Sequence, residues 1–232
     1  FIHAKQNSTE LTAFNISLGI TDEFMRCVRD KKMFDLVFEG KVHKQVFAPA
    51  LWEMIMRSTW DWAEPGVLFI DRINEANNLY YCETIEATNP CGEQPLPSNG
   101  ACLLGSDNLV KYVDFDEEGT RSFNFAQLMQ DIPIVTRAMD NIHDNTVFPL
   151  EAQAEESRIK RRMGLGVTGL ANAIEALGFS YGSPKFLAVA EDIFKVIRDE
   201  TYRTSVALAK EKGEFPALDR DLYLKGEFIK TL

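Results

Sequence analysis

TNPCGEQPLPSNGACLLG, residues 88–105, is the stretch on which the reading of this chain turns. Its eighteen residues hold three prolines, three glycines and two cysteines. Proline fixes φ and removes a backbone donor, so the segment predicts neither a helix nor a central strand. A loop of this length inside a compact domain is either functional or a sign that the element boundaries are misplaced. Within it, Asn89, Cys91 and Glu93 occupy alternate positions. In an extended segment, residues two apart point to the same side, which would gather an amide, a thiol and a carboxylate around one space. That set supplies a hydrogen-bonding amide, a redox-capable sulfur and a general base. Cys102 follows eleven residues on from Cys91. Free cysteines are commonly small core hydrophobes, so packing and chemistry both remain open for the two thiols.

Outward from this loop, short strand-like stretches alternate with longer helical ones. Phe14 to Ile20 alternates with period two, and Thr21-Asp22 reads as the cap of a helix from about Glu23. Phe47 to Asp61 is helical in spacing, with Phe47, Leu51, Met54 and Ile55 on one face. Val67 to Ile70 predicts a short buried strand, and Phe125 to Ile142 a helix with Pro133 as a kink. Ser183 to Lys212 is the clearest element: an N-cap serine, Pro184 at the first helical position, and Gly213 at the end. Strand and helix in alternation predict an α/β architecture with mainly parallel strands, in one continuous domain or part of one. Asp114 to Ser122 reads as the one loop insertion. The chain opens at Phe1-Ile2, as if at the end of a helix, and closes at Ile229 to Leu232 with no polar tail. Natural termini usually carry small polar residues, so both ends predict a fragment, a cropped chain or one piece of a split protein.

Composition bounds the function. The 232 residues are 45% apolar and 26% charged, as in ordinary globular domains. The longest apolar run is Phe186 to Ala190, far short of the roughly 20 residues of a membrane span. Four cysteines with no CxxC pair predict neither a disulfide scaffold nor a zinc ribbon, and a cytoplasmic protein is the expectation. The net charge of −10 opposes direct nucleic-acid binding. Arg158, Lys160, Arg161 and Arg162 form a basic knot that reads as a solvated helix end. His3, His43 and His143 are too scattered to predict a metal site.

ATNPCGEQPLP followed by GACLLGSDNL resembles the finger loop of ribonucleotide reductase large chains. The wording NPCGEQPL is closest to the adenosylcobalamin-dependent class II branch. FNISLGITDEFM, PGVLFIDRIN, RRMGLGVTGLANAI and GEFPAL are also similar to that family, so the resemblance covers nearly the whole chain. It implies that residues 1–232 are a partial catalytic domain: the central portion of a ten-stranded α/β barrel, with the family domain's N- and C-terminal parts absent. It also implies the roles. Cys91 would carry a transient thiyl radical, Glu93 would accept the 3′-hydroxyl proton, and Asn89 would bind the sugar hydroxyls. Gly92 completes the substrate-binding set. Cys102 would be one of two reducing thiols, restored by an external dithiol such as thioredoxin. Its partner is expected outside this chain, because Cys27 sits on a predicted helix and Cys82 just before the loop. The implied partners are a ribonucleotide, polypeptides supplying the missing barrel parts, and a homo- or hetero-oligomeric assembly.

Three rivals stay open at this stage. A class I large chain, served by a separate metal-bearing radical subunit, uses a similar loop. Gly164-Leu165-Gly166-Val167-Thr168-Gly169 matches the dinucleotide-binding string of a Rossmann-type module, although Lys160 to Met163 makes a poor preceding strand. A non-catalytic assembly chain is the third, and the intact Asn89, Cys91 and Glu93 speak against it.

Overall fold

Thr21 takes its predicted place: its hydroxyl accepts from the Phe24 amide at 3.2 Å and caps helix α1 (Asp22–Arg29). The computed structural model describes residues 1–6 and 11–231, and its contacts divide the chain into two units. One comprises Phe1–Ser98 with Asp219–Leu232, the other Asn99–Leu218. Residues 1–6 form turns instead of a helix end, with Ala4 N–H donating to Phe1 O and Gln6 N–H to His3 O. Leu232, at the apolar end noted above, lies outside the described residues.

In the first unit, strand β1 (Ser17–Ile20) leads into α1. A hairpin of β2 (Met33–Phe38) and β3 (Lys41–Phe47) follows, then helix α2 (Ala48–Trp62), strand β4 (Gly66–Phe69) and helix α3 (Ile70–Glu75). β1 and β4 pair in parallel, Ser17 opposite Gly66 and Ile20 opposite Phe69. A side chain at Gly66 would come within 2.7 Å of the Ser17 hydroxyl, so the close approach of the two strands requires glycine there. The core packs Ile20, Phe24, Ala48 and Ile55 together, and Phe24 meets Phe34 edge-on at 5.1 Å. Beyond α3, strands β5 (Ala87–Thr88) and β6 (Pro95–Leu96) form a short antiparallel ladder.

In the second unit, β7 (Leu103–Asn108) pairs in parallel with β10 (Met163–Thr168), Leu103 opposite Met163. Between them lie the hairpin β8 (Val113–Phe115) and β9 (Arg121–Phe123), helix α4 (Phe125–Asn145) and helix α5 (Glu151–Lys160). Helices α6 (Leu170–Ala176) and α7 (Pro184–Lys212) follow. Leu109, Leu128, Ile132, Ile174 and Ile193 are fully buried at its centre. The Ser183 hydroxyl accepts from Phe186 N–H at 3.2 Å to start α7, and Gly213 ends it, as their sequence positions predict. Pro133 sits inside α4 without ending it. The short helix α8 (Arg220–Tyr223) returns the chain to the first unit.

The described strands form five two-stranded sheets, two parallel and three antiparallel, and no closed barrel. The architecture is therefore mixed α/β, and the expectation of mainly parallel strands is corrected. The antiparallel pairs are all local hairpins closed by tight turns. Asp114 to Ser122 is one of them and no loop insertion: the Asp116 carboxylate accepts from the Glu118 and Thr120 amides and folds the turn. Among the described residues no helix is long and apolar enough to cross a membrane.

Candidate functional site

Asn89 and Glu93 do come together, but by a turn and not by extended alternation, and Cys91 lies on that turn. The ladder of β5 and β6 places Thr88 opposite Pro95. Asn89 N–H then donates to Gln94 O at 3.2 Å, and Gly92 N–H to Asn89 O at 3.0 Å. Residues 89–92 thus form a four-residue turn. Asn, Pro and Gly are the residues favoured at its first, second and fourth positions in a type I turn. Gly92 has φ +84, a left-handed conformation that lets the chain re-enter the ladder. The consequence is chemical. Asn89 Nδ2 donates to Glu93 Oε1 at 2.6 Å, while Asn89 Oδ1 accepts from Gln94 N–H at 3.0 Å. An amide and a carboxylate are therefore locked side by side. Cys91 sits at the third turn position, between them in sequence, with its thiol exposed and free.

Asn15 was invisible as a site residue in the sequence. Its Nδ2 donates to Pro90 O at 2.7 Å, across 75 positions of sequence. FNISLGITDEFM carried family resemblance, but a contact of that range has no local signal.

Cys102 stands at the start of β7 in the second unit, half-buried, with its sulfur 3.8 Å from Leu103 O. Burial pushes its thiol above the usual range, and the nearby Arg162 guanidinium offsets part of that rise. The four cysteines are reduced, with no disulfide among them. Cys27 packs against the core of the first unit, and Cys82 is exposed.

The basic knot does end helix α5, and Arg158 is solvated, but Lys160, Arg161 and Arg162 are largely withdrawn from solvent. Arg161 reaches Asp140 Oδ1 at 2.7 Å and Asp144 Oδ1 at 2.7 Å, while Lys160 and Arg162 both meet Glu156. Lys212 joins Asp140 from α7 at 2.7 Å. Composition could not reveal acidic partners that lie on α4 and earlier in α5. Burial alone would raise the Asp140 carboxyl, but hydrogen bonds from Lys212 and Arg161 outweigh it and hold it below the usual carboxylate range.

The glycine string does not form a phosphate-cradling turn. Gly164 and Gly166 lie within β10, and only Gly169 stands at the strand-to-helix junction, with φ +69. The Rossmann-type reading fails on that geometry. His143 is engaged by Ser157 Oγ at 3.1 Å and Arg162 O at 2.6 Å. Among the described residues, no group of three or more His, Cys, Asp or Glu side chains is placed to hold a metal ion.

Comparison with known proteins agrees with the loop's wording. The family described as ribonucleotide reductase, barrel domain, matches residues 1–231. A vitamin B12-dependent ribonucleoside-diphosphate reductase of Thermoplasma acidophilum is 38% identical over 220 residues, covering 94% of this chain and 28% of the relative. One of Mycobacterium tuberculosis is 36% identical over 225 residues, covering 94% of this chain and 31% of the relative. The ribonucleoside-diphosphate reductase large subunit of African swine fever virus is 33% identical over 169 residues, 70% of this chain and 21% of the relative. The chain thus spans less than a third of the length of these relatives.

Proposed function

The chain belongs to the ribonucleotide reductase family, and from that premise we propose that it is the central barrel segment of a B12-dependent ribonucleoside-diphosphate reductase. In this reading the parallel pairs β1–β4 and β7–β10 belong to a ten-stranded α/β barrel, and residues 89–94 are the tip of its finger loop. The observation that carries the reading is the hairpin tip, where Asn89 and Glu93 are bonded at 2.6 Å and the Cys91 thiol is exposed at the turn they frame.

The residue types suit the chemistry. A thiyl sulfur at Cys91 takes the hydrogen atom from C3′ of the ribose, becoming a thiol and leaving a carbon radical. Glu93 accepts the 3′-hydroxyl proton, and Asn89, already oriented by Gln94 N–H, presents its amide to the sugar hydroxyls. The 2′-hydroxyl departs as water, taking up a proton. Two thiols, Cys102 and a partner outside residues 1–232, supply two electrons and two protons in all and become a disulfide. Cys91 returns its hydrogen to C3′ and is a thiyl again. The sum is ribonucleotide plus dithiol to deoxyribonucleotide, disulfide and water. An external dithiol such as thioredoxin then restores the pair.

Adenosylcobalamin, when bound, supplies the radical that initiates at the thiol. Cys91 fits a meeting with so bulky a group: its thiol is exposed, and nothing lies within 4 Å of where a side chain at Gly92 would project. Cys91 holds the hydrogen to be removed, and Asn89 and Glu93 orient the substrate beside it.

The test is reconstitution. The complete reductase should form deoxyribonucleoside diphosphate with adenosylcobalamin and dithiol alone. Activity that requires a separate di-iron or di-manganese subunit would overturn the cofactor assignment.

A further inference from the structure

We propose that Asn15 is a positioning residue for Cys91, its side-chain amide fixing the peptide unit from which the sulfur is presented. The proposal rests on the reading of residues 89–93 as the reductase site. Asn15 Nδ2 donates to Pro90 O at 2.7 Å. That carbonyl belongs to the planar peptide bond whose nitrogen is the Cys91 amide, so holding the oxygen orients the start of Cys91. Proline already fixes φ at residue 90. Its remaining soft dihedral is ψ, which rotates this same carbonyl. A single hydrogen bond there removes the freedom the ring leaves.

The other hydrogen bonds of residues 89–94 are made within the hairpin itself: Asn89 with Gln94, Gly92 with Asn89, Asn89 with Glu93, and Thr88 Oγ1 with Asn89 O. Among the described residues, the Asn15 bond alone ties the tip to a distant segment. It also starts from a fixed post. Ile16, next to Asn15, donates its N–H to Glu64 Oε1 at 3.4 Å and accepts from Gly66 N–H at 2.9 Å. Glu64 is in turn paired with Lys5. From Ile16 the chain passes directly into β1, which is paired with β4.

The bond is surface-exposed, so its contribution to folding is small, whereas its contribution to geometry is large. Hydrogen transfer needs the reacting atoms within about 3–3.5 Å, and a displacement of about 1 Å can cost about 100-fold.

The experiment uses the complete reductase with Asn15→Ala, Asn15→Asp, Asn15→Gln and Cys91→Ser. It measures kcat, KM, thermal unfolding, and ribonucleotide binding without cofactor. Asn15→Asp keeps the shape but has no donor; Asn15→Gln keeps the donor on a longer stem. The expected result is a fall in kcat of about 10- to 100-fold in the Ala and Asp variants. KM and ribonucleotide binding should stay near wild type, and Gln should recover part of the rate. A wild-type kcat in Asn15→Asp, equal losses in the Asp and Gln variants, or a raised KM at constant kcat overturns the proposal. Should the Ala variant fail to fold, the Asp and Gln pair decides. Cys91→Ser separates the two layers of the argument. Turnover in that variant removes the site assignment itself, whereas a dead Cys91→Ser beside an unaffected Asn15→Asp removes only the role of Asn15.

Discussion

Gly92→Ala probes the site through the backbone alone. Gly92 has φ +84, and a Cβ added there meets nothing within 4 Å. No clash contributes, so the cost is that of a left-handed L-residue, about 1–2 kcal/mol. That energy is available to any relaxed turn that moves Cys91 out of line, which corresponds to roughly a 5- to 30-fold smaller competent population. Gly40 offers a matched control. It has φ +73 at the tip of the β2 and β3 hairpin, again with nothing within 4 Å. Both alanine variants of the complete reductase should therefore lose a similar, small amount of stability in denaturant or thermal unfolding. Only Gly92→Ala should lose kcat, by about 5- to 30-fold, and Gly92→Asn should lose less because Asn tolerates this conformation better. Initial rates of deoxynucleotide formation, with melting curves on the same samples, make the comparison. An unchanged kcat in Gly92→Ala, or an equal loss in Gly40→Ala, would refute the claim that this turn's conformation presents the reactive sulfur.

Three further outcomes follow from the second unit. Because burial raises the Cys102 thiol, its alkylation by iodoacetamide should lag that of a small-molecule thiol near pH 8 and catch up as pH rises. A single turnover without reductant should leave Cys102 oxidised by mass spectrometry, and a free Cys102 beside formed product would exclude it as a reductant. Asp140 and Asp144 are held below the usual carboxylate range by Arg161 and Lys212, on Asp140 against its own burial. Their stabilisation is thus present above an unfolded-state pKa of about 3.9 and is lost as pH falls through the lower native values. Asp140→Ala should cost about 2–4 kcal/mol at pH 7. The gap between variant and wild type should close in acid, and a gap independent of pH would contradict the ion-pair account.

The elements most legible in the sequence were those whose signals are local. Thr21, Ser183 and Gly213 mark helix ends through their own side-chain or backbone chemistry, and the structure uses each as read. Asn89-Pro90-Cys91-Gly92 marks a turn just as locally, whereas the alternate placing of Asn89, Cys91 and Glu93 reads as one side of an extended loop segment. The carboxylate and the amide meet because the chain reverses, which spacing alone does not encode. The β2 and β3 hairpin has a weak sequence signal because MFDLVF has no clean alternation. Its turn signal was Glu39-Gly40, whose φ values of +49 and +73 suit a two-residue hairpin loop. What remained hidden was long-range. Asn15 finds Pro90 across 75 positions, and Arg161 and Lys212 find Asp140 from 21 and 72 positions away. Sequence showed these groups as polar but could not show which of them face one another.

The most direct test of the central claim is the turnover of Cys91→Ser in the complete reductase, measured beside its folding and its ribonucleotide binding. Serine preserves size and hydrogen bonding but forms an oxygen radical far less readily than cysteine forms a thiyl. A folded, substrate-binding variant with under about a hundredth of wild-type turnover, a barrier raised by more than roughly 2.7 kcal/mol, is the predicted result. Deoxynucleotide formation above that level by the serine variant would contradict the assignment of Cys91 as the radical-bearing residue.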